Sequence, residues 1–165
     1  MPFYHSGKGI WVEVHRALFP PSHLAELPVF SRQSIMSESK LSSLSEIPVM
    51  RLSTELQIVY TASHWALNLI DLKREGGLFA FFDIIYLLKH SEKPIRWDVI
   101  FDWIEHSIAA THLYLLLSYL NKNRTMSLDK DILEELLIRQ RSFGALNLQL
   151  AHHLITRYWS QVWCQ

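Results

Sequence analysis

From residue 54 onward the apolar residues of this chain recur at the three- and four-residue spacing of a helix, and that pattern limits the fold more than any other feature. Leu56, Val59, Tyr60, Ser63, Leu67 and Ile70 form one stripe after Thr54-Glu55-Leu56-Gln57, which has the form of a capping box. Ile58, Ala62, Trp65 and Leu69 form a second stripe on the opposite side, so this helix is expected to be covered on both faces. Gly76-Gly77 separates it from a helix over 78–90. Pro94 precedes another, whose stripe is Trp97, Ile100, Phe101, Ile104 and Ile108. A fourth runs to Leu120 and stops at Asn121-Lys122-Asn123. Ser127 is placed to cap a fifth over 128–139, and Phe143, Leu146, Leu150, Leu154 and Tyr158 mark a last one over 142–160. No fixed-period repeat links these segments, which predicts a bundle and not a solenoid.

The first fifty residues read differently. Ile10, Val12 and Val14 alternate with Trp11, Glu13 and His15, which is the period of a strand. Gly7-Lys8-Gly9 supplies a turn before it, and Pro20-Pro21 stops regular structure after it. A lone strand leaves its backbone groups unpaired, so a pairing partner is expected to be missing. Residues 31–45 hold seven serines and read as a loop or short irregular helix ending at Pro48. The expected fold is mainly α, a helical bundle of about five or six helices with a short N-terminal β-strand or hairpin. Its expected divisions are a strand-containing region over 1–30, a Ser-rich connector over 31–50 and a helical lobe over 51–165.

Composition narrows the function classes. Sixteen basic and sixteen acidic residues balance without a block of like charge, which gives no footprint for nucleic acid or an anionic membrane. The longest apolar run, 78–88, is interrupted by Asp83 and is far shorter than the roughly 20 residues that cross a bilayer. The N-terminus has neither the basic nor the apolar region of a secretory signal, and the one cysteine, Cys164, excludes an internal disulfide. A soluble, cytoplasmic protein is expected. Six tryptophans and eight phenylalanines predict a bulky core in preference to a binding surface.

Two stretches, taken in order, resemble a known family. Gly9-Ile-Trp-Val-Glu-Val-His-Arg-Ala-Leu-Phe-Pro is similar to a strand of the form hydrophobic, acid, hydrophobic, His, followed by bulky apolar residues. The series Leu52-Ser-Thr-Glu-Leu, Ser63-His64-Trp65, Phe82-Asp83-Ile84-Ile85-Tyr86-Leu87-Leu88 and Ile95-Arg96-Trp97-Asp98-Val99-Ile100 is similar to the helical half of the same family. On these residues the chain resembles, over about 4–120, the C-terminal part of an uncharacterised bacterial nucleotidyltransferase-like family of the polymerase-beta-type superfamily. The family's Gly-Ser turn and two-acid strand have no counterpart here, and its acid-Trp pair stands as Arg96-Trp97.

What the resemblance implies is a truncated or split nucleotidyltransferase-like protein, inactive alone, with Glu13 as the third of three metal-binding carboxylates. Nucleotidyl transfer uses two Mg²⁺ ions held by carboxylates on adjacent strands, and one carboxylate cannot hold them. No cofactor is therefore expected in this chain alone; Mg²⁺ is expected only if a partner segment completes the site.

The residues read by themselves leave other possibilities open. Glu13 also suits the solvated side of an edge strand, and His15 shares its face without making a full zinc set. His64 flanks an apolar stripe, and Asp83 interrupts an apolar helix, where burial would demand a donor such as His64. That pair reads as a polar link fixing helix packing, or as part of a small metal-dependent hydrolase. Trp97 opens its helix as a further structural candidate. Gly7-Lys8-Gly9 lacks the spacing of a phosphate-binding loop, and Ser63-His64 are helix neighbours that project apart. The alternative to a transferase is a helical interaction module, a homodimer or one that pairs a separate chain with the exposed strand 10–15.

Overall fold

The computed structural model describes residues 2–13, 18–19, 27–44, 46–70, 77–140, 149, 152–153 and 155–156; side-chain surroundings are described for all of these except 2, 3, 5, 10–13, 67–70, 77 and 78. Strand β1 (Pro2–His5) and strand β2 (Ile10–Glu13) form an antiparallel hairpin, with Phe3 opposite Val12 and Tyr4 opposite Trp11. The N-terminal hairpin is one of the two forms expected of the fold, and the expectation that the strand's pairing partner is missing is corrected. The partner precedes the Gly7-Lys8-Gly9 turn, and Gly9 takes φ 63°, a conformation in which a side chain is strained. Residues 14 and 15, the end of the expected strand, lie outside the described residues.

The Ser-rich segment contains a short helix, one of the two forms expected of it, and also a strand, which departs from expectation. A 3₁₀ turn, Pro28–Phe30, leads to helix α1 (Arg32–Ser37), capped by Ser31, whose hydroxyl accepts from the Ser34 amide. A second antiparallel hairpin follows, from strand β3 (Ser39–Leu44) and strand β4 (Ile47–Leu52). Pro48, expected to end the Ser-rich connector, lies inside β4 instead. A two-stranded hairpin has two edge positions, where a missing N–H costs no ladder bond.

The helical body begins at α2 (Thr54–Ile70) and continues through α3 (Gly77–Lys89), α4 (Trp97–Ile104), α5 (Ile108–Lys122) and α6 (Lys130–Arg139). The starts of α1, α2, α5 and α6 carry side-chain caps, although not always where the pattern placed them, and α4 starts after Arg96 without one. The Ser53 hydroxyl accepts from the Leu56 amide at 3.3 Å, so Ser53 caps α2 and the Thr54 box does not form. Asp129, not Ser127, caps α6 through the Asp131 amide, and Ser107 caps α5 through the Ala109 amide. Gln149, His152, His153, Ile155 and Thr156 are helical; all five residues of the expected last stripe lie outside the described residues.

Helix α5 is the centre of the body. Every residue from Ala109 to Leu117 is buried, as are Tyr119 and Leu120, and α2 and α6 both pack on it. Burial all round a helix is what a core position requires. Among the described side chains both stripes of α2 are covered, with Leu56, Ile58 and Ala62 fully buried, Val59 and Trp65 nearly so and Tyr60 half-buried, and the helix packs on α3, α4 and α5. Trp65 meets Phe81 edge-on at 5.1 Å, and Phe81 meets Tyr119 at 5.6 Å, joining α2, α3 and α5 through aromatic edges. The Phe19 ring lies tilted against Tyr60, Phe30 meets Tyr60 edge-on, and both phenylalanines enter the same core, which anchors the preceding segment to α2. No helix among the described residues is long and apolar enough to cross a membrane.

Candidate functional site

The hairpin β3–β4 meets the helical body at a cleft of about 670 Å³, with Lys40 and Arg51 on one wall and His90, Lys93 and Arg96 on the other. Its organising contact is local to neither wall. The α3–α4 connection presents Arg96 to Glu55, in the first turn of α2. Glu55 Oε1 accepts from the Arg96 backbone amide at 3.3 Å and from Nε at 3.2 Å, and Oε2 accepts from Nη2 at 3.3 Å. Nη2 also reaches Glu38, at the end of α1, at 3.4 Å.

The Glu55 side chain is only 6% exposed and that of Arg96 is 50% exposed. Burial by itself would raise the Glu55 carboxyl. The Arg96 side-chain bonds, the amides of Glu55 and Arg96 and the Arg96 charge outweigh it and hold the group below its ordinary value. The same pairing raises Arg96, through the Glu55 bond first. One guanidinium thus ties α1, α2 and the α3–α4 connection together.

Of the remaining charged residues lining the cleft, Arg51 and Glu92 pair with each other. Lys40 and Arg51 face each other across the hairpin, an unfavourable like-charge pair relieved by Glu92, 3.6 Å from Arg51. Chemically the cleft is a clamp between hairpin and body.

The expected site residues are not drawn together. Glu13 ends β2 opposite Pro2, with its side chain outside the described surroundings, and His15 lies outside the described residues altogether. His64 is exposed and its ring lies 5.5 Å from that of Tyr60. Asp83 is exposed too, and it makes no hydrogen bond or ion pair among the described residues, so the expected buried Asp83 link is corrected. The reason is phase: Asp83 shares the solvent side of α3 with Phe79, Phe82 and Tyr86, all at least 60% exposed, while Ala80, Phe81 and Ile84 face the core. Ser63 is buried beside exposed His64, as divergent helix neighbours must be. Trp97 opens α4 and packs on Phe101 at 6.1 Å. Among the described residues no group of three or more His, Cys, Asp or Glu is placed to hold a metal ion.

The feature that pattern reading missed is the outer edge of β3. The Ser53 amide donates to the Glu38 carbonyl at 2.8 Å, extending the β3–β4 register by one pair. Antiparallel ladders alternate bonded and non-bonded pairs. Lys40–Arg51, Ser42–Val49 and Leu44–Ile47 are therefore the bonded pairs. Ser39, Leu41 and Ser43 on β3, and Pro48, Met50 and Leu52 on β4, turn their backbone groups outward. Pro48 has no N–H, so the β4 edge is interrupted at that position. The β3 edge is not, and beside it Leu41 is 75% exposed with Met50, its cross-strand partner, 50% exposed. The signal for this hairpin in the sequence was Leu44-Ser45-Glu46-Ile47, a two-residue polar turn between apolar residues.

No protein-family model, no curated protein and no solved structure matches this chain.

Proposed function

We propose that this protein is an interaction module that captures an extended polypeptide segment by strand addition on the outer edge of β3. The observation that carries the reading is the asymmetry of the β3–β4 hairpin. Leu41 and Ser43 offer backbone donors and acceptors that no described residue satisfies, while Pro48 blunts the opposite edge. An added strand would gain affinity from those main-chain bonds and selectivity from the apolar Leu41–Met50 face. The helical body supports this surface by clamping the hairpin through Arg96, Glu38 and Glu55.

The test is selection of displayed random peptides on the immobilised chain and on its Leu41→Pro variant. Proline removes an outward N–H without touching a ladder bond of the hairpin. Peptides with alternating apolar residues should be retained by the unaltered chain and lost from the variant. Equal retention on both would overturn the reading.

The nucleotidyltransferase resemblance supports a second reading, helped by the strand geometry of Ile10–Glu13. In it the two-acid strand comes from another polypeptide, Glu13 supplies a third carboxylate for Mg²⁺, and the helical lobe positions substrate. Incorporation from labelled nucleoside triphosphates by the mixed chains, with Glu13→Gln as control, tests it. Activity indifferent to that substitution would remove Glu13 from the role.

A further inference from the structure

We infer that the segment added to β3 is β3 of a second copy, antiparallel about a two-fold axis at Leu41; this rests on the strand-addition reading above and names its partner. The edge is self-complementary in the one register that matters. With Leu41 opposite its own counterpart, Ser39 faces Ser43 of the other copy, and all of these positions turn N–H and C=O outward. Each facing pair then exchanges two backbone bonds, and both chains contribute the same surface, as a two-fold interface requires.

Side chains agree with that register. Lys40 falls opposite Ser42 of the second copy, so no like charges meet across the new ladder. On the other face Met50, Leu41, Leu41 and Met50 line up across the joined sheet, converting two isolated exposed pairs into one apolar strip. The Ser39 hydroxyl donates to the Ile35 carbonyl and can still accept from the facing Ser43 hydroxyl.

Two further properties of the chain favour a second copy over an unrelated segment. Its formal net charge is zero, so two copies approach without long-range repulsion. The strands of the hairpin pack chiefly against each other. A two-stranded ribbon is marginal in water, and joining two of them makes a four-stranded sheet.

The deciding experiment is sedimentation equilibrium of the full chain over a concentration series, with Leu41→Pro and Leu41→Lys beside it and circular dichroism to confirm their folding. The unaltered chain should show a monomer–dimer equilibrium. Leu41→Pro removes the two bonds on the axis and should weaken association by about thirtyfold. Leu41→Lys places two like charges on the axis and should weaken it at least comparably; it decides the matter if the proline variant loses helical signal. A chain that is monomeric up to roughly millimolar concentration overturns the second copy as partner, while edge-dependent peptide capture would still stand. A dimer untouched by a folded variant overturns it equally, since the interface then lies elsewhere.

Discussion

Arg96→Ala should cost this protein about 2 kcal/mol of stability at neutral pH, and the magnitude follows from the unequal burial of the two partners. An exposed ion pair is worth about 0–1 kcal/mol, whereas stripping one partner from a fully buried pair costs about 3–5 kcal/mol. Glu55 is at the buried limit and Arg96 is half in water, so the pair falls between. The substitution removes the bonds from Nε and Nη2 but keeps the backbone amide bond to Oε1, which limits the loss. For a chain of this length it corresponds to a Tm lower by about 4–8 °C.

The pH dependence gives a second, independent reading. Glu55 titrates below its ordinary value near 4.5 in the folded state, so its stabilisation is complete above that value and is lost as pH falls through the folded value. Arg96→Ala forfeits that contribution at pH 7 but has little left to lose in acid. Urea unfolding of both proteins should therefore show a gap that narrows from pH 7 toward pH 3. The Glu38 arm joins a half-exposed guanidinium to a carboxylate that is 30% exposed, so Glu38→Gln should cost less than about 0.5 kcal/mol. A gap under about 0.5 kcal/mol at pH 7, or one unchanged in acid, would refute the clamp.

Asp83→Ala should leave stability within about 0.5 kcal/mol, because the carboxylate is exposed and makes no bond among the described residues; a larger loss in thermal unfolding would mean that it is a structural link after all. His152 is held below its ordinary value by burial first and by the Lys122 charge second, against a smaller upward pull from the Leu115 backbone. Its Nε2 lies 3.1 Å from the Ser118 hydroxyl. On acidification the unfolded chain takes the proton first, so stability falls from about pH 6.5 downward through the folded value. His152→Gln should flatten the decline in urea midpoint between about pH 7.5 and 5.5, and an unchanged slope would show that another group sets it.

Periodicity carried the helical body. The helices after residue 54 follow from side-chain phase along one segment, which is local information, and the described residues of both α2 stripes are covered as its sequence displays. Cap chemistry was legible to within a residue or two at α2 and α6, where geometry chose between neighbours, Ser53 over Thr54 and Asp129 over Ser127.

Strands were harder because their stability lies in the partner. Residues 10–13 alternated clearly, yet their pairing with Pro2–His5 was invisible from either segment, and the serines of β3 hid a strand whose ladder is satisfied by β4. Asp83 looked buried in an apolar run until packing chose which side of α3 faces α2. Arg96 stood out in the sequence only as an odd residue before a tryptophan; its contact with Glu55 spans 41 residues. Side-chain spacing fixes what a segment can present, and only the packed chain fixes what it meets, which is why the helices could be read from the residues while the clamp and the outward-turned groups of β3 required the tertiary structure.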